Sequence, residues 1–156
     1  MEALTKAGVM HMSNDVYDEK VYGGARNDTW LIVFVSQIAN TNVYSKHADM
    51  NRLVSQLLLD FVKTKEGKAL RIGFVDTWDG ELLKETFDID MIPSVRLIRG
   101  ENVYHLKWNK QTGLWTTSDL KEFVTSGYDS APVETLRRRV QDGMELYAEY
   151  IVNTLA

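Results

Sequence analysis

Three histidines, His11, His47 and His105, are the side chains best suited to moving a proton near neutral pH or to ligating a transition metal. They fall on a predicted strand, a predicted helix and a predicted hairpin, and none has a carboxylate at ligand spacing. The expectation is therefore structural histidines and no metal site. Ser36, Ser45 and Ser94 lack the G-x-S-x-G elbow that would present a nucleophile, and no glycine-rich loop has phosphate-binding spacing, which removes hydrolase and nucleotide readings. Asp76, Asp79, Glu81, Asp88 and Asp90 cluster around one predicted helix, but solvent-side charges on a helix are ordinarily solvation, and no perturbing partner can be named. The chain has 0 cysteines, so disulfides, thiolate metal sites and thiol catalysis are excluded together. The polar run Asn40-Thr41-Asn42 is read as a helix cap worth about 1 kcal/mol. An anion site at that helix start would need a basic neighbour, and none lies beside it. No catalytic residue, metal or cofactor is expected, and the chain is read as a non-enzyme.

The elements that would position these residues follow from periodicity. Val9 to Met12 is a short strand, after which Ser13 caps a short helix that stops at Gly23-Gly24. "WLIVFV" has no polar interruption, as befits a central strand buried on both faces. From Val43, apolar positions recur at helical spacing through Met50, Val54, Leu57 and Phe61. "ALRIGFVD" is a second buried strand, followed by a helix capped at Asp79 with Leu82, Leu83 and Phe87 turned inward. After Pro93, "SVRLIRGENVYHLKW" alternates, turns at Gly100-Glu101-Asn102 and returns as an antiparallel hairpin. "TTSDLKEFV" is a capped closing helix.

A chain of 156 residues, 44% hydrophobic and 26% charged, can bury a real core. Its net charge of -4 supplies no basic field, so nucleic acid is not an expected partner. No apolar run approaches the roughly 20 residues that span a bilayer as a helix.

This order describes an α/β mixed sheet with helices on both faces. With "WLIVFVSQ", "IGFVDTWDGELLKETFDIDMIPSVRLIRG" and the hairpin and helix through Phe123, the chain resembles the thioredoxin fold, protein disulfide isomerase branch. The Phe87-x-Ile89-x-x-Ile92-Pro93-Ser94 run carries much of the likeness. The resemblance covers about residues 8 to 127 and implies a Cys-x-x-Cys turn, with the first sulfur at a helix N-terminus where its pKa falls. Here Ile38 stands in place of the family's Trp, Ala39 in place of the nucleophilic cysteine and Asn42 in place of the resolving one. The buried acid that the resemblance implies falls at Val33. A scaffold without both sulfurs and the acid is expected to be redox-inactive. The resemblance further implies a cis bond before Pro93 and a peptide groove floored by Ile38, Ile92 and Pro93.

The thioredoxin-like domain is placed at residues 1-128, followed over 129-156 by a linker and a C-terminal amphipathic helix. From Pro132 onward, Val133, Leu136, Val140, Met144, Tyr147, Ile151 and Leu155 recur at three- and four-residue intervals, which predicts one helix over 132 to 155. Arg137, Arg138 and Arg139 would then sit near a helix N-terminus, where the dipole disfavours cations, and so would want anionic neighbours outside the helix. Arg137 and Arg138 form with Tyr147, Tyr150 and Ile151 a candidate partner-binding surface, or a peripheral membrane contact. Two roles are expected. One is a structural or interaction subunit of a larger protein assembly, membrane-associated as in a mitochondrial respiratory complex. The other is a non-catalytic peptide-binding module of the disulfide isomerase type in the endoplasmic reticulum lumen. The start shows no secretory signal and the ending "IVNTLA" no retention tail, which favours the first.

Overall fold

A computed structural model describes residues 2–36, 46–108 and 113–155, with the side chains of 46–49 outside that description. The elements run α1 (Glu2–Lys6), β1 (Met10–His11), α2 (Asn14–Val16, continued by a π-helical turn, Tyr17–Tyr22), β2 (Trp30–Val35), α3 (Lys46–Phe61), α4 (Lys65–Lys68), β3 (Arg71–Asp76), α5 (Glu81–Thr86), β4 (Ser94–Arg99), β5 (Asn102–His105), α6 (Thr117–Thr125), β6 (Val133–Thr135) and α7 (Gly143–Leu155). The six strands form one mixed sheet in the order β1-β3-β2-β4-β5-β6. β2 is parallel to β3 and antiparallel to β4, so the uninterrupted apolar strand occupies the middle, as its composition requires.

Alternation along β2 builds the two layers. Leu31, Val33 and Val35 join a core with Leu4, Val54, Leu58, Phe61, Leu120 and Phe123, from α1, α3 and α6. Trp30, Ile32 and Phe34 join a second core with Tyr17, Val21, Leu83, Phe87 and Leu136, on the face covered by α2, its π-helical extension and α5. Side chains of one strand thus fill both interiors, and the mixed sheet with helices on both faces stands. The β4–β5 hairpin closes through Gly100 at φ 60°, the first of two loop residues, where a positive φ matches the twist of the flanking strands. Thr116 and Asp119 form a reciprocal capping box that starts α6, as "TTSDLKEF" indicated.

Several elements depart from the sequence reading: α4, capped by Thr64, was not anticipated, and α5 starts after Gly80 with no side-chain cap rather than at a cap on Asp79. α1 was not anticipated: five residues carry too little periodicity, yet Leu4 is buried. More consequentially, the helix does not begin at Pro132. Val133–Thr135 is a strand, antiparallel to β5, with Tyr104 opposite Val133 and Asn102 opposite Thr135. The Pro132 carbonyl accepts from the His105 N–H at 2.9 Å, and the Leu136 N–H donates to the Glu101 carbonyl at 2.7 Å. The open edge of β5 offers backbone partners that a helix over the same residues could not use. α7 is therefore 13 residues long, and Arg137 and Arg138 lie in the β6–α7 connection rather than on a helix.

Candidate functional site

The parallel ends of β2 and β3 and the start of antiparallel β4 meet at one edge of the sheet: Val35 lies opposite Asp76, and Phe34 opposite Ser94. The rim is held together by its backbone. Thr77 donates to the Val35 carbonyl twice, from its N–H at 2.8 Å and its hydroxyl at 3.0 Å. The Asn51 amide, buried under the start of α3, donates to the Ser36 carbonyl. The Trp78 N–H donates to Asp76 Oδ1 at 3.0 Å, and the Ser94 hydroxyl to the Met91 carbonyl. Ile92-Pro93 is cis, as the resemblance implied, with Pro93 buried and Ile92 half-buried.

Out of this rigid rim stand two large apolar side chains: Trp78 is 67% exposed and Met91 52%. They lie beyond β3 and before β4, on either side of β2, so their strands are roughly 10 Å apart at two ladder spacings. The sequence reading did not single them out. The signal was a tryptophan set among Thr77, Asp79 and Gly80, a loop composition in which a large aromatic is not needed for packing.

Behind the rim, Val33 is buried between Phe74 and Val95 in the sheet register, at the place of the implied buried acid. Ile38, Ala39 and Asn42 lie outside the described residues, as do Ser45 and the side chain of His47; what stands of them is their identity, which includes no thiol. His11 stacks on Phe74 with ring centroids 4.9 Å apart. His105 faces the Glu134 carboxylate at 3.4 Å, yet burial and the nearby Arg96 push its pKa below the ordinary value. Among the described residues no group of three or more His, Asp or Glu could hold a metal ion. What this edge offers is exposed apolar surface, Trp78 and Met91, beside backbone fixed by its own hydrogen bonds.

The second set of candidates lies at the other end of the chain. Arg137 pairs with Glu134 at 3.0 Å and Asp88 at 3.2 Å, while its carbonyl accepts from the buried Tyr17 hydroxyl at 2.5 Å. Burial, with Asp18 next to it, pushes the Tyr17 pKa further above its ordinary value, which keeps that donor protonated. Arg138 is exposed. Tyr147 and Tyr150 are exposed and Ile151 is half-buried. The anionic neighbours expected for Arg137 are thus supplied within the chain. Arg139, which the sequence reading set beside the other two on one helix, is instead buried and donates to Asp18 through Nε and Nη2 and to Glu145 at 2.7 and 3.0 Å. Three successive arginines gave no hint that the third alone turns inward.

No protein-family model and no curated protein matches the chain. Solved structures do. The thioredoxin-like domain of Arabidopsis NCP (Nuclear Control of PEP Activity) is 12% identical, with 86% of this chain and 92% of that one covered and a TM-score of 0.61. Full-length ERdj5 is 15% identical over 78% of this chain, with a TM-score of 0.58; the match spans only 16% of that protein. Chloroplastic thioredoxin z is 12% identical, with 78% and 95% covered and a TM-score of 0.50. At such identities the likeness speaks for the backbone alone, and the backbone has the thioredoxin-like fold.

Proposed function

We propose that this chain is a redox-inactive, non-enzymatic thioredoxin-like domain that serves as a structural or interaction subunit of a larger protein assembly. The observation that carries this reading is Val33, packed between Phe74 and Val95 in a chain with 0 cysteines. Dithiol exchange needs a thiolate nucleophile, a resolving thiol and a proton acceptor nearby, and apolar packing fills the acceptor's place. Reduction of insulin disulfides by dithiothreitol tests it. Turbidity with the native chain should rise no faster than with the heat-denatured chain, and a clear acceleration would overturn the reading.

A second reading is favoured by the exposed Trp78 and Met91 in the loops after β3 and before β4: a peptide-binding module of the disulfide isomerase type. Titration calorimetry with a reduced, carboxymethylated unfolded protein should then give binding that weakens about tenfold in Trp78→Ala, the loss expected of an aromatic anchor. Equal affinity of the variant would remove this reading and leave the first intact.

A further inference from the structure

The end of the sheet opposite the Trp78–Met91 rim holds a cavity of about 310 Å³. It lies where the turns after α1 and α3, the end of α4 and the first residues of β1, β2 and β3 meet, a strand's length of about 17 Å from the rim. Met10, Val62, Leu70 and Ile72 give it an aliphatic wall, and Lys68 and Arg71 give it charge. No Asp or Glu lines it, in a chain whose net charge is -4. Gly8 turns the chain from α1 into β1 at φ 93°, and a Cβ there would meet nothing within 4 Å, so the cavity stays open on that side.

Three residues of this wall carry donors. Lys68 is exposed and makes no ion pair among the described residues. Arg71 has its Nη1 3.5 Å from Asp28 Oδ2 and its guanidinium carbon 4.5 Å from the centroid of the Trp30 ring, which fixes the group at the wall. Trp30, which also lines the cavity, is 2% exposed, and its indole N–H has no hydrogen-bond partner. Buried donors are ordinarily paired, and an unpaired one costs stability that an acceptor returns.

We propose that this cavity binds a small organic carboxylate, with its apolar body among Met10, Val62, Leu70 and Ile72 and its charged end between Lys68 and Arg71. The volume is at the low end of ligand pockets, about 300 to 1,000 Å³, and so selects a small molecule or a chain end. Arg71 covers one face of Trp30 and the rest of the apolar wall is aliphatic, which suits an alkyl body. Lys68 and Arg71 exceed Asp28 by a single charge, which matches a monoanion rather than a phosphate dianion, and a guanidinium takes a carboxylate through paired N–H groups.

The test titrates two carboxylates into the whole isotope-labelled chain and follows it by two-dimensional NMR. Octanoate stands for a free acid and N-acetyl-leucyl-leucine for the carboxyl end of a peptide. The Trp30 indole N–H signal and the Gly8 and Leu70 amide signals should move together to saturation, with a Kd of about 1 mM for a ligand of this size, while those of Ser94 and Glu145 stay. Lys68→Ala and Arg71→Gln should each weaken binding about fivefold, and octanol, with the same alkyl body and no charge, should bind at least about fivefold more weakly than octanoate. Lys68 is exposed, so Lys68→Ala should leave Tm within about 2 °C and its effect on binding is not one of unfolding. Saturable binding of either acid with these losses supports the site, and the tighter of the two identifies the source of the carboxylate. No saturable shift with either acid, binding unchanged in either variant, or octanol binding as tightly as octanoate overturns it. The insulin assay reads the other end of the sheet, so this site and the redox reading can fail separately.

Discussion

At the scale of single residues, the decisive side chain is Arg139. Its guanidinium is buried, yet every N–H finds an acceptor among Asp18, Glu145 and the Val140 carbonyl. The hydrogen bond from Arg139, then the one from the Asp142 N–H, hold the Glu145 carboxylate at about 2. Arg139→Met should therefore cost about 2 kcal/mol in urea unfolding, since charge-assisted bonds are lost and two carboxylates are left facing each other. Arg139→Lys should recover less than half of this, because a point charge with three donors cannot serve both carboxylates bidentately. His105 makes a prediction in pH. Its pKa lies below 6.5 in the folded chain, through burial and then Arg96, so between that value and 6.5 the unfolded chain binds more protons. Stability then falls as pH drops below about 6.5, and His105→Gln should flatten that part of a denaturation series. A slope unchanged in the variant would mean that other groups carry it. At this scale the sequence was legible where identity alone decides, as with the 0 cysteines and the apolar run that buries Val33. It called for anionic partners of the arginines but could not name those from distant segments, as with Arg139 and Asp18, 121 positions apart.

At the scale of elements, the strands and helices of the body follow from local pattern, because each strand is flanked by turn residues and each helix has a stripe to bury. The end of the chain shows where pattern misleads. Val133, Leu136 and Val140 have helical spacing and no strand alternation, Val133 being exposed and Leu136 buried, yet the open edge of β5 makes Val133–Thr135 a strand. A sequence signal for the true helix start was present in Asp142-Gly-Met-Glu145. Asp142 Oδ1 accepts from the Glu145 N–H at 2.8 Å and Glu145 Oε1 from the Asp142 N–H at 3.2 Å, a capping box beside a glycine that would weaken a helix interior. Hydrogen exchange checks this division. The His105 and Leu136 amides, bonded to Pro132 and Glu101, should exchange slowly with the sheet, while α7, with no buried residue, should exchange orders of magnitude faster than α3 or α6. Equal protection of α7 and α6 in the isolated chain would mean that α7 is covered.

At the scale of the whole molecule, the segment after α6 divides into a part that completes the domain and a part that projects from it. Residues 131–142 add a sixth strand, place Leu136 in the core beside Tyr17 and Phe87, and bind the face of α2 and α5 through Arg139, the Arg137 carbonyl and the bond from the Val140 N–H to the Thr86 hydroxyl at 2.9 Å. Residues 143–155 bury nothing, and of the described contacts only Glu145 and Glu149 hold them to this strap. Two truncations should therefore behave differently. A chain ending at Ser130 loses Leu136, worth about 2 to 3 kcal/mol as a buried leucine, together with the β5 partner and Arg139, and should lose most of the 5 to 15 kcal/mol typical of a domain or fail to fold. A chain ending at Asp142 keeps the strand and the buried leucine and gives up one partner of Arg139, so the cost should be about 1 to 2 kcal/mol. Urea unfolding of both against the full chain measures the difference. Equal losses would mean that α7 belongs to the core, and two negligible losses would mean that β6 and the strap are not part of the cooperative unit. The asymmetry expected here is that of a domain completed by its own tail, which then holds a further helix with its apolar side turned outward.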